Sequence, residues 1–149
     1  MMLADKRFDA SHLSEALNAI VHQDVKKIRQ LAWDGEDFCA KDEQFKSSPL
    51  LLAVQLNLHK SVLALLSLPG IDANHAEETP GKTLLHHAAD GGNVEMVKLL
   101  LKLPSVDVSA RTSRGRDALF FAKCVESYDA PELKKRKEAC ARILKAAQR

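Results

Sequence analysis

The chain has 149 residues, 46% apolar and 28% charged, a globular rather than disordered composition that suits one domain or a short repeat array. A formal net charge of +2 provides no whole-chain field toward nucleic acid or membrane, and aromatic residues are scarce at 5%. Three widely spaced cysteines, Cys39, Cys124 and Cys140, with no Cys-x-x-Cys pair, argue against a disulfide scaffold or zinc ribbon and fit reduced thiols in a cytosolic compartment.

The first residues, MMLADKRFDASHL, contain no apolar run after a basic region, so no secretory signal is expected. Apolar runs such as Leu50 to Val54 are too short to span a bilayer. Leu13, Ala16, Leu17 and Ile20 then give one helical face. Val25, Ile28, Leu31 and Ala32 give a second, ending at Gly35. Trp33 falls near the end of that second helix, where a packing role is expected. A connector, DFCAKD (37–42), follows.

Two further units reveal a period. SPLLLAV (48–54), TLLHHAA (83–89) and DALFFAK (117–123) align with separations of 35 and 34 residues. SVLALLSLPGIDAN (61–74) aligns with MVKLLLKLPSVDVS (96–109) at the same separation of 35. Within the third unit, Leu84, Leu85, Ala88 and Ala89 form one apolar set, and Val94, Val97, Leu100 and Leu101 the next. Spacings of three and four mark amphipathic helices, and Gly91 and Gly92 separate them as a tight turn. Pro69 and Pro104 stop the second helices, and polar connectors follow. A single helix pair cannot bury its apolar face alone, so neighbouring pairs must stack.

In the last unit, Leu119 and Ala122 belong to the first helix. Cys140, Ile143 and Leu144 take the places of Val97, Leu100 and Leu101, but an insertion of 9 residues around SYDAPELKK lengthens the final turn and helix. Residues 131–149 carry seven basic and two acidic side chains, a local +5 against −3 for residues 1–130. Lys134, Lys135, Arg136 and Lys137 read as the solvated face of a polar cap. No aromatics interleave with them as a single-strand nucleic-acid platform would need, though a patch for anionic partners is an alternative.

These units resemble the ankyrin repeat. Thr83, Leu85, His86, Ala88, Ala89, Gly92, Asn93, Val97, Leu100 and Leu101 carry its motif, and Ser48, Pro49, Leu50, Ala53, Val62, Leu65 and Leu66 a second copy. DVSARTSRGRDAL (107–119) resembles the family's connector. The resemblance covers roughly residues 12 to 148 and implies an all-α solenoid of stacked helix pairs with β-hairpin finger connectors. One domain over 1–149 is expected, with repeats near 8–42, 43–77, 78–112 and 113–148, the outer two serving as degenerate caps. It further implies that His86 hydrogen-bonds the neighbouring connector, opposite Thr83.

AEETPGKT (76–83) satisfies the loosest phosphate-loop pattern. Glu77 and Glu78 would place negative charge beside phosphates, Pro80 removes an amide, and no buried strand precedes it. The structural reading makes Gly81 a turn, Lys82 a solvated side chain and Thr83 a helix cap, with Gly115 as the counterpart of Gly81. A small nucleotide-dependent enzyme using Gly81, Lys82 and Thr83 is therefore the weaker alternative. His86 and His87 have no partner at metal-ligand spacing, so no metal, cofactor or catalytic residue is expected.

The resemblance places a protein-binding surface on the fingers and the exposed faces of the first helices. The fingers contribute Glu43, Gln44, Phe45, Thr79, Lys82, Arg114 and Arg116. The helix faces contribute Leu52, Gln55, Leu56, His87, Asp90, Phe121 and Val125. Phe45 at a finger tip and Phe121 beside Leu52 and Leu56 read either as aromatic anchors or as packed rings, Phe45 folded back onto its own hairpin and Phe121 filling space under the last cap. A non-catalytic cytoplasmic module follows, monomeric when free, binding a protein and neither nucleic acid nor a membrane interior. The Leu-Pro-Gly-Ile-Asp connector style resembles ankyrin proteins that intracellular bacteria deliver into host cells. An effector acting on a host protein in the host cytosol is the alternative it implies.

Overall fold

The computed structural model describes residues 14–40, 47–76 and 81–148, and there the chain forms eight helices and no strand. They are α1 (Glu15–Val21), α2 (Val25–Trp33), α3 (Pro49–Gln55), α4 (His59–Leu66), α5 (Leu84–Asp90), α6 (Val94–Leu101), α7 (Ala118–Lys123) and α8 (Pro131–Ala147). The first seven run six to nine residues, too short to persist alone in water, so their stability comes from packing.

The period sets where each helix starts. Ser14, Ser48, Thr83 and Asp117 stand at matching positions and each accepts a hydrogen bond from the backbone N–H three residues on. Helices pair within each unit, α1 with α2 through α7 with α8. The first helices α1, α3, α5 and α7 then pack in sequence as one row. Between them lies a continuous core in which Ile28, Leu50, Val54, Val62, Leu65, Leu84, Val97, Leu100, Cys140 and Leu144 are fully buried. The long α8 packs against α5, α6 and α7, as the displaced Cys140 and Leu144 foretold. Met96, outside the expected apolar set, is buried as well.

The turn inside each of the first three helix pairs holds a left-handed residue. Gln23, Asn57 and Gly92 occupy the same register with φ of 52°, 59° and 64°. Only the third is glycine, and α8 explains why. A Cβ on Gly92 would lie 3.0 Å from Leu133 Cδ1 and 3.2 Å from Arg136 Cβ. At Asn57 the backbone alone sets the preference. Asn57→Ala is expected to cost about 1 kcal/mol in urea unfolding, while Asn57→Gly leaves the midpoint nearly unchanged.

The hairpin-like connectors are described only in part, since residues 41–46 and 77–80 lie outside the described residues. An isolated antiparallel bridge joins Ala76 to Thr83 across residues 77–80. The third connector closes through Thr112 N–H donating to Arg116 O at 2.9 Å and Gly115 N–H to Thr112 O at 2.8 Å. Arg111 Nη1 adds a bond to Gly115 O at 2.9 Å. Adjacent connectors are joined by Asn74, whose Oδ1 accepts from Asp107 N–H at 2.6 Å and whose Nδ2 donates to Ser105 O at 2.7 Å.

Trp33 does not pack. It is 88% exposed at the C-terminal end of α2, because Ile28 and Leu31 already occupy that helix's buried face.

Candidate functional site

The row of first helices presents one residue per repeat at the same register: Leu52 on α3, His87 on α5 and Phe121 on α7. Leu52 and Leu56 are half-buried and Gln55 is exposed. Gln55 Nε2 donates across the repeat boundary to His87 Nδ1 at 3.3 Å. A ring that accepts at Nδ1 is neutral. Desolvation reinforces this, pushing the His87 pKa down to about 4, aided by the Lys82 charge and opposed by Asp90.

His86 faces the other way and is buried. Its Nδ1 accepts from Thr83 N–H at 2.9 Å, completing a capping box, and its Nε2 donates to Arg116 O at 3.0 Å in the following connector. Burial lowers its pKa, against the raising effect of the Arg116 and Ala110 carbonyls. The expected bond to the neighbouring connector is present. The preceding unit has Leu51 in that register, and there the histidine comes from the connector side. His75 Nε2 lies 3.0 Å from Ser48 Oγ.

Lys82 is not the solvated side chain expected. Its Nζ lies 3.5 Å from Asp90 Oδ2 and 4.6 Å from the centroid of the Phe121 ring, an arrangement that favours a cation over an aromatic face. Gly81 has the positive φ of a turn glycine, and Thr83 caps α5 as expected.

Phe121 takes the packed alternative. It is only 9% exposed, covered by Lys82 and set edge-on to His86 at 5.5 Å and to Phe120 at 5.6 Å. The exposed aromatic of α7 is instead Phe120, 40% accessible with Arg116 stacked at 4.6 Å. It shares the register of His86, where a further connector would cover it. Val125, Arg114 and Arg116 are exposed as expected, and Asp90 is half-buried. Thr112, in the same connector, is buried and its Oγ1 accepts from Arg116 N–H. Glu43, Gln44, Phe45 and Thr79 lie outside the described residues.

One residue of the basic run was misjudged. Lys137 is 5% exposed, and its Nζ donates to Cys124 O at 2.8 Å. Asp129 Oδ2 and Asp90 Oδ1 flank it at 3.7 and 3.9 Å. Its ammonium thus joins α8 to α5 and to the inserted turn. The signal was in the periodicity. Leu133, Lys137, Cys140 and Leu144 form a four-three-four stripe, the buried face of α8.

Among the described residues no three His, Cys, Asp or Glu side chains cluster to hold a metal, and no helix is long and apolar enough to cross a membrane. The family model for ankyrin repeats, in three copies, matches residues 9–102 and 50–133. The chain belongs to the ankyrin-repeat family. Comparison with curated proteins gives no match. As an ankyrin-repeat protein it is a helical solenoid, and ankyrin repeats are generally protein–protein interaction modules. Leu52, His87 and Phe121 share one register on the packed row of first helices.

Proposed function

We propose that this ankyrin-repeat protein is a non-catalytic binding module, one unit of four repeats over 1–149, that grips a partner protein across the first helices and connectors. The reading rests on the cross-repeat bond between Gln55 and His87. It holds polar groups of two repeats in one fixed array, flanked by half-buried Leu52 and Leu56 and by the Lys82–Asp90 pair. Side chains fixed before contact lose little entropy on binding, and half-buried leucines supply apolar area beside them. The exposed Arg114, Arg116 and Val125 extend the surface to the last repeat, and Phe45 and Thr79 extend it to the earlier connectors. The module acts in the cytoplasm with its three cysteines reduced, and it is a monomer when free.

Immobilised wild-type protein should capture a defined partner from cytosol, identified by mass spectrometry. His87→Glu combined with Phe45→Ala should lower that capture at least about tenfold, as loss of central contacts does, with helical circular dichroism unchanged. Capture undiminished by both changes would place the interface elsewhere. Running bacterial and host-cell cytosol in parallel separates a resident adaptor from an effector acting on a host protein.

A further inference from the structure

The bond from Asn74 that ties the second connector to the third has an altered counterpart one repeat earlier. Asp37, Asp72 and Asp107 mark the same register, and each folds its own turn, accepting from the backbone N–H two residues on at 2.9 Å. The residue that should reach across is Asn74 in the second connector and Cys39 in the first. Asn74 makes two bonds, accepting from Asp107 N–H and donating to Ser105 O. The Cys39 sulfur meets the equivalent Asp72 N–H. A thiol is a weak acceptor and has no amide N–H to offer Gly70 O as a second bond.

A cleft of about 670 Å³ lies between these two connectors. Its walls come from α2 and the connectors, with no residue from the first-helix row. Phe38, Leu68, Ile71 and Trp33 supply the apolar part of its floor and walls. Trp33 is 88% exposed, in a protein with no other tryptophan. The charged lining is one-sided. Glu36, Asp37 and Asp72 set three carboxylates against the single guanidinium of Arg29, a formal −2.

We propose that this cleft is a second protein-docking site, separate from the first-helix surface, and that it takes an extended partner segment bearing arginine or lysine beside aliphatic residues. The aliphatic stem of such a side chain suits the floor. Its charged end meets carboxylates, and a cation over the exposed face of Trp33 gains further attraction. An acidic segment meets the same apolar floor under a repelling rim. Selection therefore falls on charge, and the missing asparagine is what leaves the site open.

Trp33 emission is a direct reporter, because it is the only tryptophan and lines the cleft. Two acetylated, amidated octapeptides, leucine alternating with arginine or with glutamate, are titrated into the full chain. The arginine peptide should shift Trp33 emission saturably at or below about 1 mM, and the glutamate peptide should not. Glu36→Gln with Asp72→Asn keeps the turn acceptors and should weaken the arginine peptide about tenfold. Cys39→Asn restores the second bond. It should raise the thermal midpoint by about 2–4 °C while weakening peptide binding at least about fivefold. No saturable shift with the arginine peptide, equal response to both peptides, or undiminished binding in either variant would overturn the proposal. Capture at the first-helix surface is read independently, so the two readings can fail separately.

Discussion

Lys137→Met should lower the unfolding free energy by about 2–4 kcal/mol and loosen α8 before the rest of the stack. The substitution keeps the side-chain stem, which packs where Gly92 leaves room, and removes only the ammonium. That group donates to Cys124 O at 2.8 Å from a site 5% exposed, and a charge-assisted bond of this kind contributes about 1.5–3 kcal/mol. Asp129, with its side chain 9% exposed, would lose its counter-charge and keep the bond from Glu126 N–H. A buried carboxylate without its cation adds a penalty. Asp90 contributes less, since it is nearly half exposed and also faces Lys82. Urea unfolding measures the total, with Lys135→Met on the exposed face as a control expected within about 0.5 kcal/mol. Amide exchange locates the effect, and residues 131–147 should lose protection first. Equal stability in the two variants would show that the ammonium contributes nothing to docking α8.

The same lysine shows where sequence was readable and where it was not. The 35-residue period made the helix pairs, their caps and their stacking legible, because each depends on spacing and on one or two residue types. Thr83 as a cap and His86 as a link to the next connector followed from the motif. The displaced Cys140 and Leu144 were legible because apolar periodicity survives an insertion. Lys137 was hidden by its neighbours. A run of four basic residues reads as a solvated face, although its position between Leu133 and Cys140 placed it inward. Its partners, Asp129 and the Cys124 carbonyl, lie in an insertion for which the period offers no template.

Side-chain covering was the harder problem. The register of Leu52, His87 and Phe121 places them on successive first helices. It could not show that Lys82 folds over Phe121, since that depends on a contact between a connector and the following repeat. Trp33 fails for the converse reason. A large apolar residue near an apolar helix face reads as core, but its direction from the helix turns it outward. His75 was missed because it occupies the place of alanine in the other connectors, Ala40 and Ala110, and takes over a bond that His86 makes from the opposite side.

Acid should destabilise this protein well above the carboxylate range. His87 has a pKa of about 4 in the fold against about 6.5 in an unfolded chain, so the unfolded state binds the proton first. Its stabilising contribution is therefore complete above the unfolded value, falls as pH drops from about 6.5 toward 4, and levels off below the folded value. Burial depresses His86 in the same direction, and its Nδ1 is committed as an acceptor from Thr83 N–H. Protonation there would break the Thr83 N–H half of the capping box while leaving the Nε2 bond to Arg116 O intact. With allowance for the partial exposure of His87, the unfolding free energy should fall by about 1–2 kcal/mol between pH 7 and pH 5 from that residue alone. His86 adds to the decline. Urea unfolding at half-unit intervals measures the slope. His87→Gln should flatten it, because glutamine does not titrate and can still meet Gln55. A slope unchanged in that variant would show that the neutral ring of His87 is not the form the fold selects. If the slope disappears while partner capture at pH 7 survives, His87 supports the repeat boundary more than it supports binding. If both disappear, one neutral imidazole holds α3 to α5 and also presents the contact surface.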